Sequence, residues 1–299
     1  MSNETKKFKS GFVNIIGNPN VGKSTLLNAL LHYDLAITTP KAQTTRHRIL
    51  GIDNGENYQI VFSDTPGIIN PAYALQKHMM ASVKEALEDA DILLLMVTPG
   101  EEKIKDDTFL EILKNSNVPV LVLINKIDTT NQEKLEQTFT YWQNLLPGAE
   151  IYPVSALHGY GLDQLKARII ELLPENPPYF DTDQLTDRQE RFLVGEKIRE
   201  KILLHYKKEI PYAVEVVVES FKETDELIRI EAVIYVERDS QKGIIIGSKG
   251  SGLKRIGTEA RKDLEKLFGK KIYLELYVKV RKNWRKDERW LKNFGYKKQ

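Results

Sequence analysis

Gly17-Asn18-Pro19-Asn20-Val21-Gly22-Lys23-Ser24-Thr25 is the stretch on which the reading of this chain turns. It fits G-x-x-x-x-G-K-[ST], a loop whose backbone N–H groups cradle phosphate oxygens. Phe12-Val13-Asn14-Ile15-Ile16 just before it reads as a short buried strand, and Thr25 to Leu31 just after it reads as a helix. That order suits phosphate, because the loop's N–H groups and the helix N-terminus both present positive charge to an oxyanion. Asn18, Asn20, Val21, Gly22 and Thr25 are candidate walls of the loop. Lys23 can reach the outer phosphates, and the Ser24 hydroxyl can ligate magnesium.

Working outward, strands and helices alternate. His47 to Asp53 and Tyr58 to Ser63 read as two strands joined by the turn Asn54-Gly55, a hairpin signal. Three further apolar strands follow, Asp91 to Val97, Val118 to Ile124 and Glu150 to Val154, with helices near Lys105–Lys114, Gln132–Leu145 and Leu162–Leu173. Continuously apolar strands between helices indicate a mostly parallel sheet covered on both faces, made mixed by one hairpin-connected edge strand. Leu173-Pro174-Glu175-Asn176-Pro177-Pro178-Tyr179 cannot continue a helix and favours an extended connector. Beyond it the pattern changes to helix, strand, strand, helix, glycine loop, helix, strand, with Asp187 as a candidate cap of a helix from Arg188 to about Lys208. The expected division is 1–174, a connector at 175–186, and 187–299 ending in a basic tail.

Composition supports two domains. The chain has 299 residues, 41% hydrophobic and 29% charged, values of a globular protein with ample core. It has no cysteine, which removes disulfides and thiolate metal sites and suits a reducing cytoplasm. Residues 1–10 lack the apolar core of a signal peptide, and no apolar run is long enough to span a bilayer, so a cytoplasmic location is expected. The net charge of +2 is unevenly spread. Residues 1–179 carry 16 Lys and Arg against 21 Asp and Glu, whereas residues 180–299 carry 28 against 21. An acidic half is joined to a basic one, and the basic half invites a polyanionic partner.

Three more motifs complete a nucleotide site. Asp64-Thr65-Pro66-Gly67 falls at a strand end, where open parallel sheets bind ligands. There Asp64 can hold magnesium, and the Gly67 N–H can approach a terminal phosphate unobstructed. Asn125-Lys126-Ile127-Asp128 supplies a carboxylate that can accept from guanine's two adjacent donors, a pair adenine lacks. Asn125 can tie this loop to the phosphate loop, and the Lys126 stem can lie over the purine. Ser155-Ala156 closes the last strand, with the Ala156 N–H available to guanine O6.

Taken in series, GNPNVGKS, a Thr-Thr loop, DTPG, NKID and SAL resemble the translation-factor-type GTPases, and Lys41-Ala42-Gln43-Thr44-Thr45-Arg46-His47-Arg48 narrows this to the Era-like family. The resemblance covers nearly the whole chain. It implies an α/β phosphate-loop GTPase domain followed by an α+β type II KH domain, with GTP and GDP as ligands and Mg2+ as cofactor. Lys23, Thr45 and Gly67 become the residues of hydrolysis, and Ser24, Thr45 and Asp64 the magnesium ligands, with Thr44 an alternative to Thr45. Asn20 matches a phosphate-loop Asn that binds K+ in related GTPases; a loop-internal hydrogen bond is the other reading. Ile68 stands after Gly67, so a hydrophobic residue takes the place of the water-orienting Gln of Ras-like enzymes.

In the second half, Ile245-Ile246-Gly247-Ser248-Lys249-Gly250 matches the KH signature, whose G-x-x-G clamps about four single-stranded nucleotides. Lys254 and Arg255, followed by Arg261 and Lys262, extend a basic face. Trp284 to Trp290 mixes aromatics with cations, and Trp290 is expected to pack on the domain. By resemblance the partners are the single-stranded 3′ end of 16S rRNA and the 30S subunit during its maturation. A weak peripheral contact with anionic membrane is also implied, and a monomer is expected. A membrane-recruited signalling switch and an mRNA adaptor with a vestigial nucleotide site are the competing readings. The intact Lys23, Ser24, Asp64 and Asp128 speak against the adaptor.

Overall fold

In the computed structural model, residues 7–296 are described. Among them two compact units emerge, one of residues 7–36, 45–72 and 79–187, the other of 37–44, 73–78 and 188–296. The first is built on β1 (Lys9–Gly17), α1 (Lys23–Leu31), β2 (Ile49–Asn54), β3 (Tyr58–Asp64), the greater part of α2 (Ala74–Glu88), β4 (Ile92–Val97), α3 (Asp107–Lys114), β5 (Val120–Ile124), α4 (Gln132–Leu145), β6 (Glu150–Pro153) and α5 (Leu162–Leu172). Its six strands lie in the order β2-β3-β1-β4-β5-β6. All neighbours are parallel except β2 and β3, the Asn54-Gly55 hairpin, so the mixed sheet expected from the sequence is the one found.

The strand pattern explains the order. β4 (ILLLMV) and β5 (VLVLI) are buried at every position, as strands covered on both faces must be. β2 has a free outer edge, and residues 185–186 close it: Ile52 N donates to Leu185 O (2.9 Å) and Thr186 Oγ1 to Leu50 O (2.6 Å). The proline-rich stretch is likewise bound, with Gln59 Oε1 accepting from the backbone of Tyr179 (2.7 Å) and Phe180 (3.0 Å). Helix ends follow their caps: Asp106 accepts from Thr108 N (3.0 Å) ahead of α3, and Asn131 from Lys134 N (3.0 Å) ahead of α4.

The second unit contains α6 (Glu190–His205), a single turn α7 (Ile210–Ala213), β7 (Glu215–Glu223), β8 (Leu227–Val236), α8 (Asp239–Ile246), α9 (Ser251–Phe268), β9 (Lys271–Val280) and α10 (Glu288–Asn293). β8 pairs antiparallel with β7 and parallel with β9, giving a mixed three-stranded sheet. One face of it packs on α6, α8 and α9 through Ile198, Ile202, Ile230, Ile234, Ile256 and Leu264. Two local expectations change. Asp187 does not cap α6, which starts after Gln189; its carboxylate accepts from Leu50 N instead (3.3 Å). Pro211 and its neighbours form α7, a turn too short to show periodicity. Trp290 packs against Tyr235 and Phe294 as expected, while Trp284 is fully buried and donates to Ala213 O (3.0 Å).

Candidate nucleotide and nucleic-acid sites

The phosphate loop leaves β1 at Gly17 and turns into α1 at Gly22. Gly22 has φ +106°, and a Cβ there would lie 2.4 Å from Asn125 Nδ2, so both its conformation and its neighbour demand glycine. Lys23 is buried, and its ammonium donates to Gly17 O (3.1 Å) and Asn18 O (2.9 Å). Burial draws its pKa down to about 8, against the pull of the Asp64 and Glu101 carboxylates. Gly67 follows β3, and a Cβ on it would sit 2.7 Å from the Pro19 backbone, which keeps this second loop tight against the first. Ile68 N closes the pair by donating to Gly17 O (3.0 Å), with the Ile68 side chain fully buried.

One side chain of the motif faces elsewhere. Asn18 donates to Glu101 Oε1 (2.5 Å) and Lys103 O (2.8 Å) and accepts from Lys105 N (3.0 Å). It braces the loop after β4, so its side chain is not a wall of the phosphate cradle as its place in the motif suggests. Glu101, which also accepts from Thr98 N (3.0 Å), is the partner that sequence reading missed. No spacing rule links positions so far apart.

Ser24, Thr45 and Asp64 converge on one point. Ser24 Oγ donates to Asp64 Oδ2 (2.6 Å), Thr45 Oγ1 lies 3.1 Å from the same oxygen, and the two hydroxyls are 3.0 Å apart. Asp64 is fully buried, which pushes its pKa above the ordinary value although Ser24, Lys23 and Thr45 oppose the shift. Its Oδ1 is buried without a hydrogen-bond partner among the described residues. A lone carboxylate oxygen beside two hydroxyls is a hard, all-oxygen donor set, which fits Mg2+. No group of three or more His, Cys, Asp or Glu is gathered for any other metal among the described residues. Of the two threonines, Thr45 reaches this cluster. The Thr44 hydroxyl instead donates to Lys41 O (2.7 Å) and meets Thr39 Oγ1 (2.6 Å).

The base-reading loop follows β5. Asn125 Nδ2 donates to Val21 O (2.8 Å), and Asn125 Oδ1 accepts from Ala156 N (2.9 Å). One side chain thus links three loops, and it occupies the Ala156 N–H that the sequence offers to guanine O6. Lys126 has φ +66° and donates to Asn20 O (2.6 Å), tying its stem over the phosphate loop. Asp128 Oδ1 accepts from Ser155 Oγ (2.6 Å), a bond that holds its carboxyl below the ordinary range. The Ser155 hydroxyl thereby aims a carboxylate that stays ionised.

In the second unit Gly247, Ser248, Lys249 and Gly250 form the junction between α8 and α9, with Ser248 and Lys249 outside the core. Beside it runs a groove of about 500 Å³ lined by Leu253, Lys254, Thr258, Arg261, Leu274 and Leu276, together with Gly250 and Gly257. Its lining combines three leucines with two cations, which suits unstacked bases with phosphates outside. Lys254, Thr258 and Arg261 recur at helical spacing on α9 and face the groove; Arg255, one residue off that stripe, is exposed but does not line it. The β9 leucines were not legible as site residues, since alternation marks them only as core.

These two sites define a phosphate-loop GTPase joined to a KH domain. Residues 12–126 match the family model described as 50S ribosome-binding GTPase, and residues 209–285 match the KH domain. "GTPase Era" of Syntrophus aciditrophicus is 52% identical over 97% of this chain and 95% of its own length. That of Clostridium kluyveri is 45% identical over 97% and 99%. Two solved structures are each 40% identical over 97% of this chain and 99% of theirs. Era with MgGDPNP and nucleotides 1506–1542 of 16S ribosomal RNA has a TM-score of 0.92, and a point variant of Aquifex aeolicus Era bound to GDP·AlF4− has 0.93. The chain belongs to the Era family of GTPases.

Proposed function

We propose that this GTPase uses its nucleotide state to govern how its KH domain holds the single-stranded 3′ end of 16S rRNA while the 30S subunit matures. The observation that carries the reading is the coexistence of a converged Ser24–Thr45–Asp64 cluster with an open groove rimmed by Lys254 and Arg261 beside Gly247–Gly250. A 40% identical relative that holds MgGDPNP and 16S rRNA nucleotides together supports it. Residues 1–174 are taken as the GTPase domain, 175–186 as its connector and 187–299 as the KH domain.

Within the nucleotide site, Asp128 reads the guanine donors and Asn125 holds the base loop against the phosphate loop. Lys23 and the Gly67 N–H would donate to the outer phosphoryl oxygens and stabilise the negative charge they carry. Mg2+ held by Ser24, Thr45 and Asp64 would neutralise part of that charge. Asn20 is assigned to K+ on its place in the motif, and replacing K+ by Na+ in a hydrolysis assay tests it: an unchanged rate rejects K+.

The function is tested by titrating an RNA of the 16S 3′ end, beside a scrambled control, with the protein loaded with GDP or with GDPNP. Tighter, sequence-dependent binding in the GDPNP form is expected. Equal binding of both RNAs in both forms would reject the reading. Sedimentation with anionic liposomes at matched salt separates it from membrane recruitment; among the described residues no helix is long and apolar enough to cross a membrane.

A further inference from the structure

Residues 37–44, which lead into Thr45, belong to the second compact unit, and α6 grips them at three points. Arg199 Nη2 donates to the Thr44 carbonyl, Glu200 Oε1 accepts from Thr38 N (3.4 Å), and Lys41 Nζ donates to Leu203 O. Arg199 is the centre of this grip. It is 1% exposed and makes a two-pronged pair with Glu196, Nε to Oε1 at 2.7 Å and Nη2 to Oε2 at 2.6 Å. A buried ion pair adds little net stability compared with apolar side chains of the same volume. Its guanidinium differs from them in having a donor aimed at one peptide carbonyl. That carbonyl belongs to the peptide bond joining Thr44 to Thr45, and the next side chain is the hydroxyl placed at Ser24 and Asp64.

We propose that Arg199 is a positioning residue for GTP hydrolysis, holding the Thr44 carbonyl so that the Thr45 hydroxyl is presented to the magnesium site. This rests on Thr45 serving that site. The planar peptide transmits the constraint, because fixing its oxygen fixes the plane from which residue 45 departs. Contacts to the terminal phosphate and its Mg2+ order such a segment in the triphosphate state and are released after hydrolysis. Loss of Arg199 should therefore penalise the GTP state and leave the GDP state alone, whereas general damage to the fold would weaken both.

Removing Arg199 alone strands the Glu196 carboxylate in the core, so the informative variant is Glu196→Met with Arg199→Met, which removes that pair and keeps the volume, while Glu215, the other carboxylate facing Arg199, keeps its hydrogen bond from Tyr296. For this folded double variant we expect the single-turnover hydrolysis rate to fall at least ~10-fold. The Mg2+ concentration needed for half-maximal binding of fluorescent GDPNP should rise, while fluorescent GDP binds within about twofold of the parent. Arg199→Lys retains a charge but not the fork, and should fall between the two. Hydrolysis within about twofold of the parent, or equal losses for GDP and GDPNP, overturns the proposal. Thr45→Ala is measured in parallel: an unchanged Mg2+ requirement there rejects the role of Thr45 itself, a failure distinct from that of Arg199.

Discussion

The nucleotide site and the basic groove of the KH domain are built on opposite physical plans. In the first, the polar side chains are buried and held by hydrogen bonds, Lys23 within the phosphate loop and Asp64 and Asn125 across to other segments. In the second, Lys254 and Arg261 stand at the surface beside the leucines of an open groove, with Lys249 exposed on the neighbouring loop. Buried, low-dielectric groups act through position, so single atoms matter. Exposed cations act through summed, salt-screened charge, so single residues matter less. The contrast predicts steep effects of substitution at one site and shallow ones at the other.

The steepest should be Lys23→Ala, with a loss of about 10²- to 10³-fold in single-turnover hydrolysis. Ile68→Ala, assayed beside it, should change the rate only mildly, because an alkyl group cannot orient water by hydrogen bonding. Equal losses would break the argument that point interactions of Lys23 carry the rate. Next comes Asp128→Asn, which presents an amide donor to guanine's donors. Calorimetry should show GTP binding weakened by at least ~2 kcal/mol, with a gain of xanthosine triphosphate. GTP affinity equal to the parent's would remove Asp128 as the base reader.

On the other side of the comparison, Gly250→Asp is the sharper probe of the KH loop. Gly250 and Gly247 both have positive φ (+79° and +72°), a region Asp tolerates better than most residues; a Cβ at Gly250 meets nothing within 4 Å, whereas at Gly247 it would also lie 2.8 Å from Gly252 N and disturb the helix junction. The added carboxylate faces approaching phosphates, so single-stranded RNA affinity should fall by more than ~10-fold with GTP affinity unaltered. Normal RNA binding would make the loop a mere connector. The smallest effect belongs to Lys254→Ala. Its RNA affinity should drop modestly, and the log–log salt slope should become shallower by about 0.7, one single-strand phosphate contact. An unchanged slope would place Lys254 outside the phosphate path.

Much of this protein was legible in one dimension. Glycines, a lysine and a strand–loop–helix order mark a phosphate loop because its chemistry is confined to nine consecutive residues, Gly17 to Thr25. The same holds for Asp64-Thr65-Pro66-Gly67, Asn125-Lys126-Ile127-Asp128 and Gly247-Ser248-Lys249-Gly250, each a local turn at the end of an element. Runs such as ILLLMV and VLVLI implied central parallel strands, since only strands covered on both faces can be apolar throughout.

Which atoms meet across those turns was decided only in three dimensions. The sequence offers two adjacent threonines of equal chemistry; the fold brings Thr45 to Asp64 and turns Thr44 toward Lys41 and Thr39. It offers Asn18 as a phosphate contact, and the structure commits that amide to Glu101, Lys103 and Lys105. Leu274 and Leu276 have the alternation of a core strand and still line a groove, because the edge of a small sheet leaves part of its inner face open. Arg199 reads as one more charge on a helix until Thr44, 155 positions away, is found against it. Local periodicity encodes which face of an element is buried. It carries no record of the distant partner a polar side chain will meet, because that pairing exists only once the loops have closed.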